Sequence, residues 1–192
     1  MTDSLYQMTA NYNPMHDRIL FRVSTQKRLE YRVWLTRRVV KNLWAIAIRS
    51  FEADADFEAD VGEDEKSGRL PHPQIPKKQE PRIREAVMSM KHQEALQSSD
   101  FSKKHDTKTM PAPEVRNPLL VIKAEIGRTV EGTIKLNLHT LERKNVTLSL
   151  NDKTLHALCH MLQRASDKAE WNLELRVGNA GNTFMASTHV LN

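Results

Sequence analysis

The chain has 192 residues, of which 39% are hydrophobic and 28% charged, and its formal net charge is +5. That length bounds it to one domain or two small ones, and that composition supports a modest core and excludes full disorder. No apolar run reaches the roughly 18 residues that a membrane-spanning helix needs, so no membrane contact is expected. The single cysteine excludes an internal disulfide and fits a reducing, cytoplasmic setting.

Residues 1–16 are polar, end in Asn13-Pro14 and lack the basic and apolar regions of a signal peptide. Tyr6 and Met8 fit a short edge strand. Ile19, Phe21 and Val23, then Tyr31, Val33 and Leu35, alternate with polar residues, which predicts two half-buried strands in a hairpin. The outward face of that hairpin carries Arg22, Arg32 and Trp34, with Glu30 among them. Cations beside an aromatic ring on a strand face suit a nucleic acid, with phosphates on the cations and bases on the ring. They equally suit an acidic protein, because aromatics anchor protein interfaces.

Thr36 is a good N-cap for a helix over about 37–51. This helix opens with Arg37-Arg38, followed by Lys41, against the positive end of its own dipole, so these cations call for an outside partner. Leu43 to Ile48 holds no polar side chain, which predicts deep burial against more than one neighbour. Residues 17–50 hold nine Lys and Arg against two acids. Residues 52–65 then carry eight acids and no base, from Glu52 to Glu65. The expectation for this run is a flexible acidic tether, or a pseudo-ligand that covers the basic face in competition with nucleic acid. It lacks the ordered ligand spacing of a calcium loop.

Seven of the eight prolines fall within 66–118, marking a linker. Inside it, residues 82–98 fit a helix that opens after Pro81, with Ile83, Val87 and Met90 as a narrow apolar stripe. Residues 119–126 read as a strand, and Gly127 and Gly132 bracket a turn. A second hairpin follows, with Ile134, Leu136 and Leu138 on one strand and Val146, Leu148 and Leu150 on the other. Asn151 caps a helix whose stripe is Leu155, Leu158, Cys159 and Leu162. Trp171 to Val177 alternates as one more strand, Gly178 to Gly181 as a turn, and Thr183 to Leu191 as a return strand.

The second hairpin and helix repeat the first at an offset of 115 without a gap: Ile19 falls on Ile134, Leu35 on Leu150, Leu43 on Leu158. Two readings stand, a shared binary pattern and a duplicated β-β-α unit whose copies pack about a pseudo-twofold axis. The expected fold is therefore α+β: two β-β(-β)-α units, each an antiparallel sheet backed by a helix, joined by a long Pro-rich linker. The boundaries are 1–52 for the first unit with its N-terminal arm, 53–117 for the linker with its helix, and 118–192 for the second unit. This arrangement is similar in outline to nucleic-acid-binding modules that pair two sheet-plus-helix repeats, such as the whirly and PUR-type folds, although no motif here matches a signature of either.

Motifs for chemistry are sparse. His156, Cys159 and His160 sit at i, i+3 and i+4 on one side of a helix, which is the spacing of a partial zinc site. Cys159 also belongs to the leucine stripe, no fourth ligand is evident, and Lys41, Trp44 and Ala45 occupy the equivalent places in the first unit. A core cysteine flanked by surface histidines is the preferred account, so no metal and no cofactor is expected. The six glycines form no phosphate-binding loop. His16-Asp17 and His105-Asp106 lack a placed nucleophile, and no enzyme is expected. The functional expectation is a non-enzymatic nucleic-acid-associated binding protein using Arg22, Arg32, Trp34, Arg37, Arg38 and Lys41. The alternative is a structural adaptor or small subunit of an assembly, a homo-oligomer or a complex with an acidic protein, docking through helix 37–51 and the linker helix.

Overall fold

A computed structural model describes residues 5–67 (side chains through 54), 81–102, 106, 108–112 and 117–178. The elements in chain order are β1 (Leu5–Asn13), β2 (Arg18–Thr25), β3 (Leu29–Leu35), α1 (Arg37–Ser67), α2 (Pro81–Gln97), β4 (Met110–Pro111), β5 (Leu119–Arg128), β6 (Ile134–Thr140), β7 (Val146–Leu150) and α3 (Asp152–Lys168). The fold is mixed α+β, with seven strands in one sheet and three helices among the described residues. No helix of the described residues is long and apolar enough to cross a membrane. The chain divides into two compact units, Met1–Ala47 with Ala95–Leu175 and Ile48–Glu94 with Arg176–Asn192.

The first unit holds the sheet. Its order is β1-β2-β3-β5-β6-β7, with β4 also on β3. Neighbours are antiparallel within β1-β2-β3 and within β5-β6-β7, whereas β3 and β5 pair in parallel at Val33–Leu119 and Trp34–Leu120. The two sheets expected from the hairpins are thus one. β1 and β7, the ends of that order, approach each other and both lie beside α3, so the sheet curls toward that helix. The inner face buries Ile19, Phe21, Val33, Leu35, Ile134, Leu136, Leu138 and Leu150. From α3 it is Leu155, Leu158, Cys159 and Leu162 that are buried, as the helical spacing predicts. The Asn151 side chain accepts from the Thr154 N–H at 2.8 Å, and the Thr154 hydroxyl answers the Asn151 N–H at 2.8 Å, a capping box.

The 115-residue offset holds in geometry. Ile19 pairs with Leu35 and Ile134 with Leu150; Phe21 pairs with Val33 and Leu136 with Leu148. Arg28 and Arg143 both take left-handed backbone at φ 60° and 58°, uncommon for arginine. The Thr25 hydroxyl accepts from the Leu29 N–H at 3.3 Å, and the Thr140 hydroxyl from the Lys144 N–H at 3.1 Å. The same threonine therefore closes the same hairpin turn twice.

Three elements depart from expectation. β1 is a full strand paired along β2 rather than a short edge at Tyr6 and Met8. α1 runs on to Ser67, so residues 52–65 are helical and not a tether. Glu and Ala are good helix formers, and no proline interrupts the run. Residues 171–177 form no strand: Trp171, Leu175 and Val177 are buried in the expected alternation, but Glu170, Asn172 and Glu174 take φ of 54°, 51° and 48°, which no strand ladder tolerates. The proposed turn beyond Gly178 and the strand 183–191 lie outside the described residues, as do Pro71, Pro73, Pro76 and Pro113.

In the second unit, Gly178 has φ +65° and lies against α2, where a Cβ would run into the Ser89 hydroxyl and the Glu85 carbonyl. α2 buries Met88, while Ile83 and Met90 of the expected stripe face outward, 50% and 62% exposed.

The capping box makes the start of α3 measurable. Asn151→Ala is expected to lower stability by about 1 kcal/mol in denaturant melts, and an unchanged midpoint would contradict the cap.

Candidate functional site

Period two sets the outer face of the first three strands. With Ile19, Phe21 and Val23 turned inward, Leu20 and Arg22 of β2 and Glu30, Arg32 and Trp34 of β3 turn outward. Glu30 organises this patch. Its carboxylate accepts from the Arg22 Nε and Nη2 at 3.1–3.2 Å, lies 3.6 Å from the Arg32 Nε, and accepts the Thr109 hydroxyl at 2.6 Å. Glu30 is buried, while the side chains of Arg22 and Arg32 remain 30% and 27% exposed. The expected pair of cations therefore exists, but one carboxylate holds both guanidiniums and cancels part of their charge.

Trp34 pairs with Leu20 on one side and Leu120 on the other, and the His16 ring lies 5.1 Å from it. Leu20 and Leu120 were not among the expected site residues. Leu20 stood in plain alternation on β2, but Leu120 joins only through the β3–β5 pairing.

Arg37, Arg38 and Lys41 stand apart from the sheet trio, on the exposed side of the first turns of α1. That first turn contains no acid. The Thr36 hydroxyl accepts from the Val39 N–H at 3.4 Å and starts the helix. The inward residues Val39, Val40, Leu43, Trp44 and Ala47 are buried and fix the rotation of the helix. Its exposed positions through Ser50 are Arg37, Arg38, Lys41, Asn42, Ala45 and Arg49; of the large apolar side chains of 37–51, Leu43, Trp44 and Phe51 are buried, while Ile46 and Ile48 are half-buried. The three leading cations line one open cavity of about 460 Å³ together with Asn172 and Leu173. None of the three makes an ion pair among the described residues. Three positive charges beside the helix N-terminus reinforce one another and the dipole, so the cavity favours an anion.

The far wall of that cavity was invisible in the sequence because it depends on a distant anchor. The Trp171 indole N–H donates to the Asp17 carboxylate at 2.9 Å, and the Tyr12 hydroxyl donates to the same oxygen at 3.0 Å. Tyr12 and Trp171 meet edge to face with ring centroids 6.1 Å apart. This contact pins the segment after α3, and with it Asn172 and Leu173. Asp17 is thereby engaged in structure, and His16 turns to Trp34. His105 lies outside the described residues.

On the outer face of the second three strands, Glu125 contacts both Lys123 and His139, the latter at 2.9 Å. These bonds, that to Lys123 first, hold its carboxyl below the usual range. Lys135 donates to the Ser149 hydroxyl at 2.6 Å.

The histidine–cysteine group of α3 takes a different form. Cys159 is buried and burial pushes its thiol up to about 12. His156 is also buried, not on the surface as expected, because the stripe of α3 is wide enough to take it in. His160 packs against Phe101 with ring centroids 4.8 Å apart, and burial, with Arg164 nearby, lowers its pKa. Among the described residues no three His, Cys, Asp or Glu side chains converge as metal ligands would.

No protein-family model, no curated protein and no solved structure matches this chain.

Cys159 offers a direct check on this burial. In the folded protein near pH 8 it is expected to resist thiol reagents and to react only in denaturant; fast labelling of the native protein would contradict the packing of α3.

Proposed function

We propose that this chain is a non-enzymatic binding protein for nucleic acid, built from two copies of one β-β-β-α unit. The observation that carries the reading is the cavity where Arg37, Arg38 and Lys41 converge without an acidic partner among the described residues. Cations clustered at a helix start are unfavourable for the helix itself. Their convergence is accounted for by an anionic ligand, and the phosphates of a nucleic acid supply such charge. Arg22, Arg32 and Trp34 add a second contact area, with guanidiniums presented beside an aromatic ring. The duplication is supported by the shared register and by the paired left-handed arginines. Three cations gather at the helix start in the first copy alone: in the second, Asp152 takes the place of Arg37 and is paired to Arg128 at 2.9 Å, His156 takes that of Lys41, and only Lys153 keeps a cation, at the place of Arg38.

A second reading has its own observation. Ile83 and Met90 lie seven residues apart on one side of α2 and are both exposed, which fits an adaptor that docks a protein partner through that helix. In that case the basic cavity meets an acidic protein, and the chain acts as a subunit of a complex or a homo-oligomer.

Fluorescence anisotropy with labelled oligonucleotides at about 50 and about 200 mM salt separates the two. The nucleic-acid reading expects binding that weakens steeply with salt. The Arg37→Ala/Arg38→Ala/Lys41→Ala variant is expected to reduce the slope of log K against log salt by roughly 2, at about 0.7 to 0.9 for each lost phosphate contact. Flat titrations for the wild type sink this reading and leave the adaptor.

A further inference from the structure

We infer that the ligand is an unpaired nucleic-acid strand that crosses the outer face of the sheet, over the β3–β5 seam and into the second half. The inference rests on the nucleic-acid reading and adds the form of the ligand and the rest of its path.

The seam carries the first part. Leu20, Trp34 and Leu120 stand side by side on three neighbouring strands, because Leu20 pairs with Trp34 and Trp34 with Leu120. All three are half-buried on the outward side, and His16 extends the row from the β1–β2 turn. An aromatic and aliphatic row facing outward offers a platform to base faces. In a duplex those faces are stacked against one another and out of reach, so the platform serves only a strand whose bases are free.

The cations lie on both sides of this row. Arg22 and Arg32 are cross-strand partners one step along β2 and β3. Beyond the seam, Lys123 of β5 and Lys135 of β6 turn outward: Lys123 pairs with outward His139, and Lys135 reaches the outward Ser149. The Lys123 side chain is 65% exposed, and its partner Glu125 is also open to solvent at 45%. A phosphate there exchanges one exposed contact for another at little cost. Five interstrand spacings from β1 to β7 give a path of about 24 Å along the curled outer face, room for a strand of roughly four or more nucleotides.

The test is anisotropy with single-stranded oligonucleotides of about four to about sixteen nucleotides, and with a duplex of the longest one. Three results are expected. Affinity rises with length until the face is filled, and the single strand binds at least about tenfold more tightly than the duplex. Lys123→Ala/Lys135→Ala lowers the salt slope by roughly 1.5. Leu120→Asp weakens single-strand binding about tenfold. Both lysines are on the surface, so their variant keeps the fold, and it decides the matter if Leu120→Asp melts early. Equal binding of single strand and duplex overturns the inference, and so does an unchanged slope in the lysine variant. Either result leaves the nucleic-acid reading standing if the α1 triple variant still loses affinity. No binding by the wild type overturns both.

Discussion

The fold depends on one short contact, the parallel pairing of β3 with β5. It consists of Val33 opposite Leu119 and Trp34 opposite Leu120, yet it converts two antiparallel three-stranded sheets into one. On the inner side it buries Val33 beside Leu119, so the two apolar halves share a core. On the outer side it sets Trp34 beside Leu120 and makes one continuous surface. Parallel neighbours need a long crossover, and the chain from α1 to β4 supplies it. β4 then covers more of the same edge of β3, at Leu29 and Glu30. An edge that would otherwise invite a foreign strand is closed twice.

Charge is distributed along the same geometry. Where cations share the sheet, a carboxylate accompanies them: Glu30 with Arg22 and Arg32, Glu125 with Lys123 and His139. These pairs hold side chains in place at a modest gain in stability, since most are half exposed. Only at the start of α1 do cations gather without such company among the described residues. The start of α3 is satisfied internally, by Asp152 with Arg128 and by the capping box. That difference in charge at the two helix starts is the observation on which the proposed anionic ligand rests.

Much of this was legible in the sequence where the signal is local. Alternation placed β2, β3, β6 and β7, Thr36 and Asn151 marked both helix starts, and the 115-residue offset anticipated a shared register down to the Thr25 and Thr140 turns. What stayed hidden depends on distance or on competing rules. Two residue pairs between β3 and β5 leave no periodic trace, so the sheets were counted as two. The acids after Phe51 were read by charge, while the helix preference of Glu and Ala decided their structure. Residues 171–177 had the pattern of a strand, but the anchor of Trp171 on Asp17 and three left-handed residues gave them another form. For the same reason Asn172 and Leu173 reached the basic cavity unannounced. The basic residues stood out in the sequence by charge alone; that Glu30 ties two of them and that three others share a cavity did not.

Tryptophan fluorescence during titration with a single-stranded oligonucleotide tests the central claim most directly. Trp44 and Trp171 are buried, which leaves Trp34 as the half-exposed ring on the outer face. If that face binds nucleic acid, emission falls on titration in the wild type and stays level in Trp34→Phe, with the fold of both confirmed by circular dichroism. Binding detected by anisotropy with no change in Trp34 emission would place the ligand elsewhere and contradict the account.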